Sequence, residues 1–188
     1  MEATTRDRIV RSAAKLFLTR SYHAVGIADL CAAADVRKGS FYHFFPSKAD
    51  LAKAVVDLHA AEFERRFTEA EEAGAELYAI AVTVAQVQSK FEERFGRIVG
   101  CPFGNLAAEL ATTDDELRRY VADVFTRWEE RLLKACHRAR LRPGVDPDEL
   151  ARMILAQIQG LILLAKVQAR PAAEITAGLR ALIKGATA

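Results

Sequence analysis

Apolar residues recur at helical spacing along almost the whole chain, and no stretch alternates apolar and polar residues for long enough to insist on a strand. Ile9, Ala13, Leu16 and Phe17 fall at i, i+4, i+7 and i+8, which predicts a first helix over about residues 4–20. Ile27, Leu30, Cys31 and Ala34 repeat the pattern over barely two turns. Asp35-Val36-Arg37 then interrupts it before a second short segment from Lys38 to Phe45, and Pro46 ends that segment. The chain should therefore place two short helices, joined by a tight turn, behind one longer helix. Ser47 with Asp50 forms a reciprocal cap for a long helix reaching about Glu72.

Further on, the spacing predicts helices near 75–96, 105–111, 114–140, 147–169 and 171–184. Thr113 with Glu116, and Asp146 before Pro147, read as starts of two of them. The expected fold class is all-α: a three-helix unit over residues 1–50, then a helical bundle over residues 51–188. Gly100 to Gly104 is the main irregular loop. The helix over 147–169 is apolar around much of its circumference, so it needs cover on several sides. A second copy of the chain is expected to supply part of that cover through Leu150, Ile154, Ile158 and Leu161, with Gly160 allowing close approach.

Net charge is informative only when divided along the chain. Residues 1–50 hold eight Lys/Arg against five acids, whereas the remainder holds 19 against 20, so a polyanionic partner is favoured by the N-terminal part. The three cysteines, Cys31, Cys101 and Cys136, are far apart, with no Cys/His spacing suited to zinc, so neither a disulfide framework nor a metal or cofactor is expected. The polar start MEATTRDR has no apolar signal region, and the longest uncharged apolar stretch, Met153 to Ala165, is too short for a bilayer. These features predict a cytoplasmic protein with no membrane partner.

Residues 22–51, YHAVGIADLCAAADVRKGSFYHFFPSKADL, resemble the signature of the TetR family of transcriptional regulators. The carrying features are the short helix and turn, then a recognition helix that begins Lys-Gly-Ser and contains Phe-Tyr-His-Phe-Phe followed by Pro-Ser-Lys. The resemblance implies an N-terminal helix-turn-helix, a C-terminal domain for ligand sensing and dimerisation, and repression through palindromic double-stranded operator DNA. It implies that Arg37, Lys38, Gly39, Ser40, Tyr42, His43 and Lys48 face the duplex. The chemistry agrees: the N-terminal residues of a recognition helix approach base edges in the major groove, Gly39 removes a side chain where backbone nears DNA, and cations and hydroxyls suit phosphate. Phe44 and Phe45 are expected to pack, and Tyr42 and His43 to stay on the surface. Where the family often has a threonine before the second helix, this chain has Val25-Gly26.

A second segment, Gly100-Cys101-Pro102-Phe103-Gly104-Asn105-Leu106, is similar to one in the NemR/AcuR/LmrA-YxaF branch of that family. The resemblance implies a response to a small-molecule or electrophilic inducer, with Cys101 as the sensing thiol and Lys166 as a cation near it. Phe91, Phe95, Phe103, Tyr78 and Trp128 could line a ligand cavity, and Gln86, Asn105, Glu109, His137 and Gln157 are the polar residues that could orient a ligand. The basic run from Arg118 to Arg142 reads as a solvated face. No nucleophile with a supporting base, carboxylate pair or phosphate-binding glycine loop is visible, so an enzyme is not expected. The competing reading is a helical ligand-binding or interaction protein that keeps the helix-turn-helix only as scaffold.

Overall fold

The computed structural model describes residues 4–74 and 76–188. Those residues form nine helices: α1 (Thr5–Thr19), α2 (Ile27–Ala34), α3 (Lys38–Phe44), α4 (Lys48–Glu72), α5 (Leu77–Phe95), α6 (Pro102–Leu110), α7 (Asp115–Arg138), α8 (Pro147–Val167) and α9 (Ala172–Ala186). Among the described residues the extended pairing is confined to one antiparallel bridge, Leu141 with Thr187.

Most helix starts have a local cause. Thr4 and Asp7 close a reciprocal box on α1. Gly26 has no side chain with which to cap α2, and Asp29 compensates by accepting the Gly26 amide at 2.8 Å. Ser47 accepts the Asp50 amide at 3.1 Å at the start of α4, and Asp146 accepts the amides of Asp148 and Glu149 at 2.7 and 3.1 Å at the start of α8. At α7 the cap is Asp114, which accepts the Leu117 amide at 2.9 Å. Thr113, expected in that role, donates its hydroxyl back to the Glu109 carbonyl instead. The α6 helix begins at Pro102, ahead of the expected 105, because proline's fixed φ suits a first helical turn. Between α2 and α3, Asp35 takes a left-handed conformation (φ 51°), which an aspartate tolerates better than most residues.

The helices pack as two compact units. One contains the described residues up to Ala61 together with Pro102–Ala122; the other contains the described residues of 62–101 and 123–188. The sequence boundary drawn at residue 50 falls inside α4, and the first unit also takes in α6 and the start of α7 from far along the chain. In that unit α1 packs on α2 and α6, and α2 on α3, around Ile9, Ala13, Phe17, Leu30, Phe41 and Leu51. Each of the isoleucine, leucine and phenylalanine side chains among them contributes about 1.5–3 kcal/mol by leaving water.

In the second unit α5, α8 and α9 pack on one another. Trp128 of α7 is buried against Phe63 and Phe67 of α4, with ring centroids 4.6 and 5.7 Å away. The basic run on α7 is mostly solvated, with one exception: Arg131 is half-buried and donates to Glu64 at 2.6 Å and Glu71 at 2.5 Å, tying α7 to α4. A β-carbon on Gly178 would lie 2.8 Å from Leu161, so the close approach of α8 and α9 occurs there, while nothing lies within 4 Å of a β-carbon built on Gly160.

Three of the four expected dimer contacts on α8 are buried within the chain itself. Leu150, Ile154 and Ile158 are at most 2% exposed within a single chain, and Leu161 is half-buried against Gly178. The first three are spent on the chain's own core, which is why they cannot offer surface to a second copy. A different stripe stays open: Met153, Ala156, Gln157, Gly160, Leu163, Leu164 and Val167 share one helical face, and Met153, Leu163, Leu164 and Val167 are 51–72% exposed. Apolar residues therefore occupy two faces of α8. By length and composition the helix could cross a membrane, which the shorter Met153–Ala165 stretch could not; Leu150, Ile154, Ile158 and Ile162 instead form its core face.

Candidate nucleic-acid interface and sensing segment

The helix-turn-helix is built on two aromatic residues one turn apart. Phe41 and Phe45 are 0% and 3% exposed, and their rings lie 6.2 Å apart. Phe44, expected to pack as fully as Phe45, is half-buried. With Phe41 facing inward, helical geometry turns the preceding and following residues out. Arg37, Lys38, Gly39, Tyr42 and His43 are all exposed and Ser40 is half-exposed. The Lys38 ammonium lies 5.9 Å from the Tyr42 ring centroid. Arg37 is the N-cap of α3 and offers no side-chain cap bond, so its guanidinium is not spent on the helix start. Arg6 of α1 sits over the Phe45 ring at 5.3 Å and puts another cation beside this helix.

Lys48 behaves differently from its neighbours. Its ammonium donates to the carbonyls of Tyr22 at 3.0 Å and Val25 at 3.1 Å and lies 4.2 Å from the Tyr22 ring. Partial burial lowers its pKa from the ordinary lysine value, against the opposing charge of Glu109. The side chain expected to meet phosphate is thus turned inward, onto the connection between α1 and α2.

Glu109 receives that same connection from α6. Its carboxylate accepts the Ser21 hydroxyl at 2.8 Å and the amides of Tyr22 and His23 at 3.0 and 3.1 Å. Burial pushes the Glu109 pKa up, but these three donors outweigh it and hold the carboxyl below its ordinary value. Glu109 was expected among ligand-orienting residues; all three contacts here go to the helix-turn-helix.

The expected sensing residues are divided between the units. Phe103 and Asn105 belong to α6 in the first unit, where Phe103 is fully buried with its ring 6.3 Å from His59. Cys101, Phe91, Phe95, Trp128 and Lys166 belong to the second. Cys101 is 4% exposed, Phe91 and Phe95 are half-buried with rings 6.1 Å apart, and Lys166 is exposed in the last turn of α8. Cys31 and Cys136 are buried packing residues as expected, and burial pushes the Cys136 thiol up to about 11. Gln86, Gln157 and His137 are exposed, and His137 lies 3.4 Å from Asp148.

Gln88 is a buried polar residue that no sequence pattern marks. It is fully buried on α5; its amide nitrogen donates to the Gly100 carbonyl, next to Cys101, at 3.4 Å, and its amide oxygen has no hydrogen-bond partner. A cleft lies at the other end of α5. It has a volume of about 690 Å³ and is lined by Tyr78, Arg138, Arg140 and Ile183 among others. That volume is within the range of small-molecule sites. Leu77, at the cleft, and Gln88 are about 16 Å apart along the helix axis, so the cleft and the Cys101 segment are separate features.

A short exposed helix with two cations at its start, set on a buried aromatic foot and preceded by a second short helix, defines a DNA-binding regulator of the helix-turn-helix class. Residues 9–55 match the family described as "Bacterial regulatory proteins, tetR family", and residues 77–181 match "Tetracyclin repressor-like, C-terminal domain". The chain is 30% identical over 169 residues to the transcriptional regulator AcuR of Cereibacter sphaeroides, covering 87% of this chain and 77% of that one. It is 32% identical over 119 residues to the repressor NemR of Escherichia coli, covering 62% and 59%. The crystal structure of a regulatory protein TetR from Rhodobacter sphaeroides superposes with a TM-score of 0.82 at 25% identity, over 96% of this chain and 97% of that one. The chain belongs to the TetR family of transcriptional regulators, and its relatives are DNA-binding regulators, not enzymes.

Proposed function

We propose that this chain is a repressor that binds palindromic operator DNA as a homodimer in the bacterial cytoplasm and is released by a small-molecule or electrophilic inducer. The observation that carries the reading is the division of α3: Phe41 is buried in the unit, while Arg37, Lys38, Tyr42 and His43 are left open at one short helix. A helix of that size enters one major groove, its N-terminal cations reaching phosphate and base edges. The exposed stripe on α8 supports the dimer. A contiguous apolar face is costly to leave in water, and a second copy of the same helix covers it symmetrically. Leu164 and Val167 replace Leu150, Ile154 and Ile158 as the expected contacts.

On the sensing side, Cys101 is the thiol an electrophile would attack, Lys166 is the cation the family resemblance assigns to it, and the burial of Cys101 means that the segment must open to admit a reagent. A ligand shifts DNA binding only through unequal affinity for two packings of the protein. The test is retention of genomic DNA fragments on the purified protein at two salt concentrations, followed by sequencing. Phosphate attraction weakens steeply with salt whereas base reading persists. One palindromic sequence surviving the higher salt is the expected result. A pool with no enrichment at either salt would leave the helix-turn-helix as scaffold and overturn the reading.

A further inference from the structure

The α1–α2 connection, residues 20–26, is gripped from two directions. Glu109 of α6 accepts the Ser21 hydroxyl and the Tyr22 and His23 amides, while Lys48 of α4 donates to the Tyr22 and Val25 carbonyls. Ser21 is drawn in further, its oxygen accepting the Ala24 amide at 3.3 Å. Tyr22 is buried, with its ring 5.1 Å from Phe17. Within four residues, two backbone donors and two backbone acceptors are therefore satisfied by charged side chains of other helices. A surface turn can satisfy the same groups with water. Charge-assisted bonds to a single carboxylate are shorter, stronger and more directional, and they fix where the turn sits.

The turn leads directly into α2. Gly26 is the N-cap of that helix, and α2 packs on α3. A shift of the turn is a shift of α2, and the recognition helix moves with it. Glu109 is 86–88 residues away from its partners in sequence, on a helix that opens one residue after Cys101. The α6 helix also packs on α1, so it holds the helix-turn-helix by its first helix and by the turn that follows.

We propose that Glu109 is a positioning residue for DNA binding: its carboxylate holds the α1–α2 turn in register, and α6 sets through it how well α3 meets the duplex. The inference rests on the DNA-binding reading above. It requires no direct contact between Glu109 and DNA. Glu109 acts only through the turn, so any rearrangement that withdraws α6 releases the turn and lowers affinity.

The experiment uses a labelled duplex recovered by the parent protein in the fragment selection and reads two quantities on the full chain: duplex affinity, and amide hydrogen exchange at Tyr22 and His23. Glu109→Ala should weaken duplex binding about tenfold or more, the equivalent of one lost charge-assisted bond, and should speed exchange at both amides. Glu109→Gln keeps an acceptor oxygen without the charge and should fall between Glu109→Ala and the parent. Ser21→Ala should weaken binding about two- to threefold. Glu116→Gln removes a carboxylate that pairs with Lys53 at 2.6 Å in the same unit without touching the turn, and should leave both readouts at parent values. A residue that only stabilised the fold would lower the melting temperature and leave the affinity of folded protein unchanged.

Folded Glu109→Ala that binds the duplex as the parent does, or exchanges Tyr22 and His23 no faster, overturns the proposal. Should Glu109→Ala fail to fold, Glu109→Gln and Ser21→Ala carry the same comparison. A parent protein that retains no duplex at all overturns the DNA-binding reading, and this inference with it, in a way distinct from variants that bind normally.

Discussion

The two units treat their polar groups in opposite ways. In the first, the polar groups of the α1–α2 connection are met by opposite charges aimed at them: the Glu109 carboxylate takes the donors and the Lys48 ammonium the acceptors. In the second, a fully buried Gln88 has one long bond to Gly100 and an amide oxygen with no hydrogen-bond partner, in a helix otherwise buried through Leu77, Ile80, Ala81 and Val84. A satisfied network specifies one arrangement, whereas a buried orphan raises the free energy of the packing that contains it. The unit that meets DNA is thereby held in one geometry, and the unit expected to sense carries a local cost that a repacking or a bound donor could relieve.

This contrast can be sharpened from each side, and the larger effect is expected in the first unit. His59 of α4 lies against Phe103, and burial pushes its pKa down to about 4 from 6.5. Between those values the unfolded chain binds a proton that the folded one refuses. Stability is therefore complete above about pH 6.5 and is lost as pH falls toward 4, by about 3 kcal/mol over the whole interval. Denaturant unfolding at pH 7 and pH 5 measures it, and His59→Leu should flatten that window. The carboxylates with lowered values, Glu109 and Asp29 among them, lose their contribution only at still lower pH. An acid loss in the parent that persists in His59→Leu would mean that another ionisable group of the chain titrates in that window.

The smaller effect belongs to the second unit. Gln88→Leu exchanges the orphan amide for an apolar side chain of similar size and should raise unfolding stability by about 1 kcal/mol, since an unsatisfied buried acceptor costs about 1–3 kcal/mol. The same change should blunt any inducer response that depends on this amide. A destabilised Gln88→Leu would show that the amide is satisfied in solution and would remove the contrast between the units.

How much of this was legible in the sequence depended on the distance over which each contact is made. Helices α1 to α4 and the outward residues of α3 follow from spacing within a few turns, because Phe41 and Phe45 one turn apart fix which way Lys38 and Tyr42 face. The caps of α4 and α8 are equally local, and only at α7 did the neighbouring Asp114 displace Thr113. The inward contacts of Lys48 leave no trace in the sequence because its partners, the carbonyls of Tyr22 and Val25, are backbone groups 26 and 23 residues away that no side-chain pattern marks. Glu109 was beyond reach for the same reason, at more than 80 residues. On α8 both faces are apolar, so periodicity could not tell the core stripe at Leu150, Ile154 and Ile158 from the open one at Met153, Leu164 and Val167. Gln88 gave no signal at all, since a single amide within a helical run is more often exposed.

The central claim is that α3 turns its cations toward DNA phosphate and base edges, and the most direct measurement is duplex affinity as a function of salt for the parent and for Lys38→Ala. The account predicts a lower affinity for Lys38→Ala at every salt concentration, and a slope of log affinity against log salt reduced by about one, the signature of a single lost phosphate contact. An identical slope and affinity for the two proteins would contradict it and place the DNA-contacting surface elsewhere.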